Sequence, residues 1–389
     1  LTVRTILFTG KGGVGKTTVA AATAVRVAQR GARTLVMSTD SAHSLGDSFG
    51  VTLGDRPVEV APGCRAAEPD AQRRLERSWG DIRGYLREVM EWAGVDSIEA
   101  DELSLLPGVE EVVALTEIAA IRRRGDVDVL VVDCAPTAET IRLLSLPDVL
   151  AWYMARVFPA GRRLSRALGP VVSRVARVPI ADDAVFASVE RLYADLSAVR
   201  DILRDHRRSS ARLVVNPEKM VVAEARRTAT YLSLFGYRVD AVVANRVLPD
   251  ALTDPWFDSW RASQAEHLET ISTSFAPAQV LRAELAAGEI VGLDALGRFA
   301  ASLYDDLDPS AVLATGDPLR VRSEHGRRIL EVELPFATKD ELDVAATADE
   351  LFVRVGPYRR AIFLPDSLRG RAVVNVALTD GTLRVSFDR

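Results

Sequence analysis

The sequence predicts an α/β protein: a mostly parallel, doubly wound sheet with helical insertions, followed by a small all-β sandwich. Three observations predict it. Over the first ~310 residues, short apolar runs alternate with helix-length segments, the pattern that lays parallel strands side by side with helices on both faces. Several of those runs stop at a Gly, Asp or Asn, at the strand ends where open α/β sheets bind ligands. Beyond residue 319 the hydrophobic period changes from 3.6 to 2.

The first strand, residues 5–9, runs into Gly10-Lys11-Gly12-Gly13-Val14-Gly15-Lys16-Thr17, with Thr18 beyond. This is G-x-x-x-x-G-K-[ST] between a strand and a helix, the context that confirms a phosphate-binding loop. Glycines carry no Cβ, so backbone N–H groups can curl around an anion. The helix opening at Lys16 points its partial positive charge at the same phosphates. Lys16 is expected to reach the β- and γ-phosphates of ATP, and the Thr17 hydroxyl to hold Mg²⁺. The plain alternative, a Gly-rich turn that binds nothing, does not explain the strand–loop–helix setting. Composition argues the same way. Of 49 Lys and Arg only four are lysines, Lys11, Lys16, Lys219 and Lys339, and two of the four lie in this loop. The site needs a compact ammonium rather than a planar guanidinium.

Lys11 is the unusual member, because an ordinary phosphate loop does not demand a lysine directly after its first glycine. GKGGVGKT resembles the deviant Walker loop of the dimeric nucleotidases that include signal-recognition, MinD- and BioD-like proteins. The resemblance implies that Lys11 reaches across a homodimer to the partner's nucleotide. It would act as an arginine finger does when supplied in trans.

Residues 18–30 read as the first helix, ending at Gly31. Residues 34–39, TLVMST, are a second buried strand that delivers Asp40 to a strand end, where a carboxylate can orient an attacking water. A helix N-cap followed by a loop is the alternative. Residues 127–132, VDVLVV, form a strand ending in Asp133, the Walker-B arrangement that holds Mg²⁺ directly or through water. Cys134 to Arg142 then read as a loop entering a helix. Residues 212–215 lead into Asn216-Pro217-Glu218, and residues 239–244 into Asn245-Arg246. The Asn245 amide offers both a donor and an acceptor for adenine; it equally suits the start of a turn. The candidate Mg²⁺ set is Thr17, Asp40 and Asp133.

Composition narrows the class. With 48% hydrophobic and 26% charged residues the chain is ordinary globular protein, and a net charge of −5 gives no support to nucleic-acid binding. Two cysteines, Cys64 and Cys134, are far apart and form no C-x-x-C, so no disulfide framework and no structural zinc are expected. No apolar run approaches the ~18 residues of a membrane span. The first strand begins so early that no signal peptide is expected, and the expected location is cytoplasmic.

The chain resembles the ArsA family of ATPases, which includes arsenite-pump ATPases and targeting factors for tail-anchored membrane proteins. The matching stretches are GKGGVGKTT at 10–18, STDSAHSLGDSFG at 38–50 and LLPGVEE at 105–111. Further matches are DCAPTAETIRLLSLP at 133–147, ANRVLP at 244–249 and VLRAELAAGEIVGL at 280–293. The resemblance implies a Mg²⁺-dependent ATPase with Lys11 acting in trans and Asp40 as the water-orienting residue of switch I. It implies Asp133 as the switch II carboxylate, Asn245 as an adenine contact and Glu218 near the partner subunit's nucleotide. The departures are specific. Ser41 replaces the family's Pro after the switch I Asp, Ala138-Glu139 replace the Gly-His of switch II, and Glu284 stands where a Pro often shapes the adenine loop. The cysteine pair that clamps an intersubunit zinc in the eukaryotic targeting factors is missing, as are clustered cysteines for arsenite.

Residues 1–313 are read as the ATPase domain, with helical insertions at about 67–123 and 148–206 where client contacts would lie. Ile82, Tyr85, Leu86, Val89 and Met90 recur at helical spacing, as do Val185, Val189, Leu192, Leu196, Val199 and Leu203. Residues 149–178 mix apolar and basic side chains, a pattern that suits a client lid, ordinary packing or membrane contact. Residues 314–389 are read as the C-terminal domain, opening on a Gly/Pro linker at 314–319 and then alternating as five or more short strands. There Ala377 to Leu383 match A-x-x-x-G-x-L, a hallmark of the α-crystallin domain of small heat-shock proteins; Asp380-Gly381 is also a good hairpin turn. The expected activity is ATP hydrolysis in a homodimer that binds and releases a hydrophobic protein client or a membrane-associated partner. An ATPase energising an anion or arsenite pump is one alternative, and a nucleotide-bound holdase without turnover another.

Overall fold

A computed structural model describes residues 3–40, 44–69, 71–94, 109–156, 158 and 181–388. Its centre is an eight-stranded sheet in the order β3-β4-β2-β5-β1-β6-β7-β8. The strands are β1 Arg4–Thr9, β2 Thr34–Ser38, β3 Val58–Ala61, β4 Cys64–Ala67, β5 Val129–Asp133, β6 Ser209–Val215, β7 Val239–Val247 and β8 Gln279–Glu284. Only β3 runs antiparallel to its neighbour. Every residue of β1, β2, β5 and β6 is buried, which is why they read as continuous apolar runs rather than alternating ones. The sequence exposes β1, β2, β5, β6 and β7. It conceals β3 and β4, four residues each, and β8, whose charged residues alternate outward.

Helix α1, Lys16–Gln29, and α2, Ser44–Phe49, follow β1 and β2. Helices α3, Ala71–Trp92; α4, Val109–Arg124; α5, Thr137–Arg156; and α6, Asp183–Leu203, come next in the chain. Residues 70–120 and 143–201 form a compact unit of their own. In it Ile82, Tyr85, Leu86, Val89 and Met90 are all half-buried along one face of α3, and Ser188 of α6 donates to Asp81 at 2.6 Å. Residues 159–178 of the basic apolar stretch, Ser41 to His43 and most of LLPGVEE lie outside the described residues.

The other unit holds the parallel sheet together with α7, Lys219–Leu234; α8, Asp258–Ser274; α9, Leu293–Tyr304; and the C-terminal strands. Those strands are β9 Leu319–Glu324, β10 Arg327–Glu333, β11 Leu342–Ala346, β12 Glu350–Val355, β13 Tyr358–Phe363, β14 Val373–Thr379 and β15 Thr382–Phe387. They form two antiparallel sheets, β14-β15-β10-β9 and β11-β12-β13, a small β-sandwich. The A-x-x-x-G-x-L stretch is the β14–β15 hairpin. Thr379 pairs with Thr382, and Asp380 and Gly381 both take positive φ (49° and 68°), as a two-residue hairpin turn requires. Under the start of β1, buried Asp240 accepts from Arg4 Nη2, Ser210 Oγ and Arg212 Nε and from the Leu313 N–H. Burial without such partners would cost several kcal/mol per charge.

Candidate active site

Gly10 leaves β1 so close to β6 that a Cβ on it would lie 2.3 Å from the Val214 carbonyl oxygen; only glycine fits. Gly15, at φ 93°, caps α1 in the left-handed region that β-carbon-bearing residues avoid. Between them Val14 is buried, Gly12 and Gly13 are exposed, and Lys11 is half-buried. Lys16 turns inward, with only 6% of its surface exposed and its Nζ 3.5 Å from the Lys11 carbonyl oxygen. Thr17 and Thr18 are half-buried in the first turn of α1. Thr17 Oγ1 lies 3.1 Å from Ser44 Oγ, the first residue of α2.

Asp133 ends β5 beside this loop, completely buried. Burial pushes its pKa up to about 7. The Thr17 hydroxyl and the Lys16 charge pull it down, Asp40 pushes it up, and the Ser38 hydroxyl pulls it down. Its Oδ2 accepts from Ser38 Oγ at 3.4 Å, while its Oδ1 is buried and finds no partner among the described residues. A buried, unpaired carboxylate oxygen next to a threonine hydroxyl fits Mg²⁺, which binds through one or two carboxylates plus phosphate and keeps several waters. A bound cation would reverse the upward shift. Asp40 follows β2, half-buried, its backbone N–H donating to Ser38 Oγ at 3.1 Å. The Thr39 N–H donates to the Asp133 carbonyl at 2.8 Å, so the two carboxylate-bearing strand ends are tied together.

Asn245 lies within β7, 6% exposed, and its Nδ2 donates to the Val14 carbonyl at 2.8 Å. Its amide therefore braces the phosphate loop, a use that reading it as a base contact or a turn starter does not contain. Glu218 is the exposed N-cap residue of α7, its N–H donating to the Asn216 carbonyl at 2.7 Å. Along the same edge, Pro249 and residues 283–290 face α9 across a groove of about 540 Å³.

Three contributors escape the sequence reading. Ser38 and Ser44 bear on Asp133 and Thr17. Glu68, just past β4 and 7% exposed, accepts from the Leu45 and Gly46 N–H groups at 2.9 and 3.0 Å and so anchors the start of α2. No sequence signal marks Glu68, because the strand before it, CRAA, is four residues long and carries Arg65.

A glycine cradle, an inward lysine, a threonine hydroxyl and two strand-end carboxylates at the carboxyl edge of a parallel sheet define a phosphate-loop nucleotide hydrolase. Residues 3–305 match the family described as anion-transporting ATPase, and residues 325–387 match an HSP20-like domain found in ArsA. The chain belongs to the ArsA ATPase family and is an ATP-hydrolysing enzyme with an HSP20-like C-terminal domain. It is 39% identical over 390 aligned residues to a protein of Chlorobaculum tepidum named putative arsenical pump-driving ATPase, covering 99% of this chain and 96% of the relative. A protein of Aquifex aeolicus named putative arsenical pump-driving ATPase 1 is 36% identical, over 94% and 95% of the two chains. ATPase GET3B of Arabidopsis thaliana is 30% identical, over 74% and 75%. No helix among the described residues is long and apolar enough to cross a membrane.

Proposed function

We propose that this chain works as a homodimer in which Mg²⁺-dependent ATP hydrolysis switches the pair between states that bind and release a hydrophobic protein client. Lys11 carries the proposal. The loop holds two lysines, and Lys16, buried and bearing on Asp133, is the one this reading gives to the loop's own phosphates. Lys11 is half-buried and has no ion-pair partner among the described residues. Its ammonium suits the γ-phosphate of a second subunit, where charge develops as the terminal phosphoryl group leaves. In this reading Lys16 and the loop N–H groups hold the phosphates, Asp40 orients the attacking water and Asn245 lies against the adenine as well as the loop. Glu218 approaches the partner's nucleotide. Thr17 and Asp133, with Asp40, would hold Mg²⁺, which when bound neutralises phosphate charge. The helical segments near 67–123 and 148–206 grip the client, and residues 1–313 and 314–389 are the two domains.

The test is subunit mixing. Lys11→Ala is expected to be nearly inactive with nucleotide affinity largely kept. Mixing it with Lys16→Ala subunits restores partial turnover, because one site then has its own Lys16 and borrows Lys11. Verified heterodimers that gain nothing would remove the trans role.

The names of the Chlorobaculum and Aquifex relatives favour a second reading, an ATPase that energises an arsenical pump. Trivalent arsenic takes soft thiolate ligands, and both cysteines here are buried. Burial pushes the Cys64 thiol up to about 12 and raises Cys134 too. ATP turnover that rises on adding arsenite would establish the pump reading over the client reading.

A further inference from the structure

Helix α7 touches two places that the sequence treats as unrelated. Near its start, Glu224 Oε1 accepts a 2.6 Å hydrogen bond from Thr137 Oγ1. Thr137 is the first residue of α5, 5% exposed, and stands in the segment that follows Asp133. A hydroxyl donating to a carboxylate at this distance is one of the stronger hydrogen bonds a protein makes. The Thr140 hydroxyl donates to the Ala135 carbonyl at 2.6 Å, so the turn into α5 is a closed unit held from outside by Glu224.

The second half of α7 carries the β-sandwich. Thr230 Oγ1 donates to the Pro335 carbonyl. The Arg226 guanidinium lies 4.6 Å above the Phe336 ring. Tyr231 packs on Tyr358 with ring centres 4.5 Å apart, and Phe235, just past the helix end, meets the same ring edge-on at 6.3 Å. Buried Arg360 donates to the Leu234 carbonyl. The fit is close: a Cβ on Gly356 would lie 3.1 Å from the Tyr231 hydroxyl.

Glu224 and Tyr231 are about 10 Å apart along the helix at 1.5 Å per residue. No Gly or Pro interrupts residues 219–234, the usual causes of a bend. A shift at one end is therefore delivered to the other.

We propose that Glu224 is a positioning residue of the ATPase, and that α7 is a strut coupling the segment after Asp133 to the docked C-terminal β-sandwich. The proposal rests on the ATPase activity of the family and not on the identity of any client. When nucleotide turnover moves Thr137, the bond to Glu224 either breaks or draws α7 with it, and α7 moves the face on which Phe336 and Tyr358 sit. Linkage makes the effect reciprocal: a partner that grips the sandwich changes nucleotide affinity by the same factor that nucleotide changes partner affinity. A shared helix with contacts at both ends is the physical element such coupling requires.

The experiment uses the full chain. Amide hydrogen exchange in residues 334–337 and 350–363 is compared between MgADP and the magnesium complex of a non-hydrolysable ATP analogue, with occupancy confirmed by calorimetry. Wild type is expected to show a difference of about tenfold in exchange rate, within the range of typical couplings. Thr137→Val and Glu224→Ala should abolish the difference while still binding both nucleotides. Thr137→Ser and Glu224→Gln, which keep the donor and the acceptor, should retain it. A brace with no signalling role would not give that pattern of rescue. Exchange that ignores nucleotide in wild type, or a difference that persists undiminished in Thr137→Val, would overturn the proposal. A wild-type chain that binds neither nucleotide would instead overturn the ATPase assignment, so the two failures are told apart.

Discussion

Asn245→Ala isolates what holds the phosphate loop in shape. The side chain is 6% exposed, and its Nδ2 donates to the carbonyl of Val14, itself 1% exposed. The same nitrogen lies 2.5 Å from where a Cβ on Gly15 would be, so the amide sits directly against the crest of the loop. Truncation leaves a buried acceptor without its donor, at a cost of about 1–3 kcal/mol. In the free variant the loop relaxes and its carbonyl recovers part of that loss from water. A bound triphosphate needs the original curl, so the cost falls on binding. Affinity should drop about 5- to 150-fold. The assay is calorimetric titration at fixed salt and Mg²⁺ with three ligands: ATP, GTP and inorganic tripolyphosphate. If Asn245 braces the loop, all three weaken, ATP by at least as much as tripolyphosphate. If tripolyphosphate binds as in wild type while ATP alone weakens, the amide serves the base and the reasoning from Val14 is wrong.

Four further outcomes are expected. Lys16→Ala should abolish phosphate release and weaken nucleotide binding, because a buried phosphate loses its charge-assisted donor; turnover within a few-fold of wild type would contradict the site. Asp40→Asn should bind Mg²⁺-ATP yet turn it over far more slowly, since an amide is a poor proton acceptor, whereas Asp133→Asn should shift the Mg²⁺ titration midpoint; superimposable titrations for both variants and wild type would undo that division. Glu68→Ala strands two backbone N–H groups at the start of α2 and should lower kcat through Ser44 and Thr17 with a loss of about 1–3 kcal/mol in stability, read from a denaturant melt beside the kinetics. Cys64 and Cys134 should resist a disulfide exchange reagent at pH 8 until denaturant is added, because burial holds both thiols protonated; rapid labelling of the native chain would show that one of them is accessible.

The parts of the site visible in the sequence are those where chemistry dictates both residue type and spacing. A phosphate cradle demands Gly at a close approach and Lys at a helix start, so Gly10 to Thr17 announce themselves. Asp40 and Asp133 are visible because an acid after a buried apolar run is unusual. Ser38, Ser44, Glu68 and Glu224 are hidden because they reach the site through tertiary contact; Glu68 meets Leu45 across 23 positions of sequence and Glu224 meets Thr137 across 87. Periodicity finds a strand only when its two faces differ or both are apolar. It finds β5 and β10 but not β4, whose CRAA is short, nor β11, where LDVAA is mostly exposed. Residue 319, read as the end of a linker, already belongs to β9.

The strand order has a consequence for synthesis. β1 is made long before its neighbours, yet it is walled in by β5 and β6, with Phe8 beside Asp133 on one side and Arg212 on the other. Gly10 rests on the Val214 carbonyl, so the nucleotide loop has no floor until about 200 more residues have left the ribosome. At ordinary translation rates that interval is roughly 10–40 s. Until β5 has emerged RTILFT is a strand with both hydrogen-bonding edges open, and until β6 follows one edge stays open, the kind of segment that pairs with the wrong chain. A ribosome stalled with residues 1–200 outside the exit tunnel should therefore display a chain that holds no nucleotide. One stalled after residue 250 has emerged should display a chain with the loop, its floor and its Asn245 brace all in place.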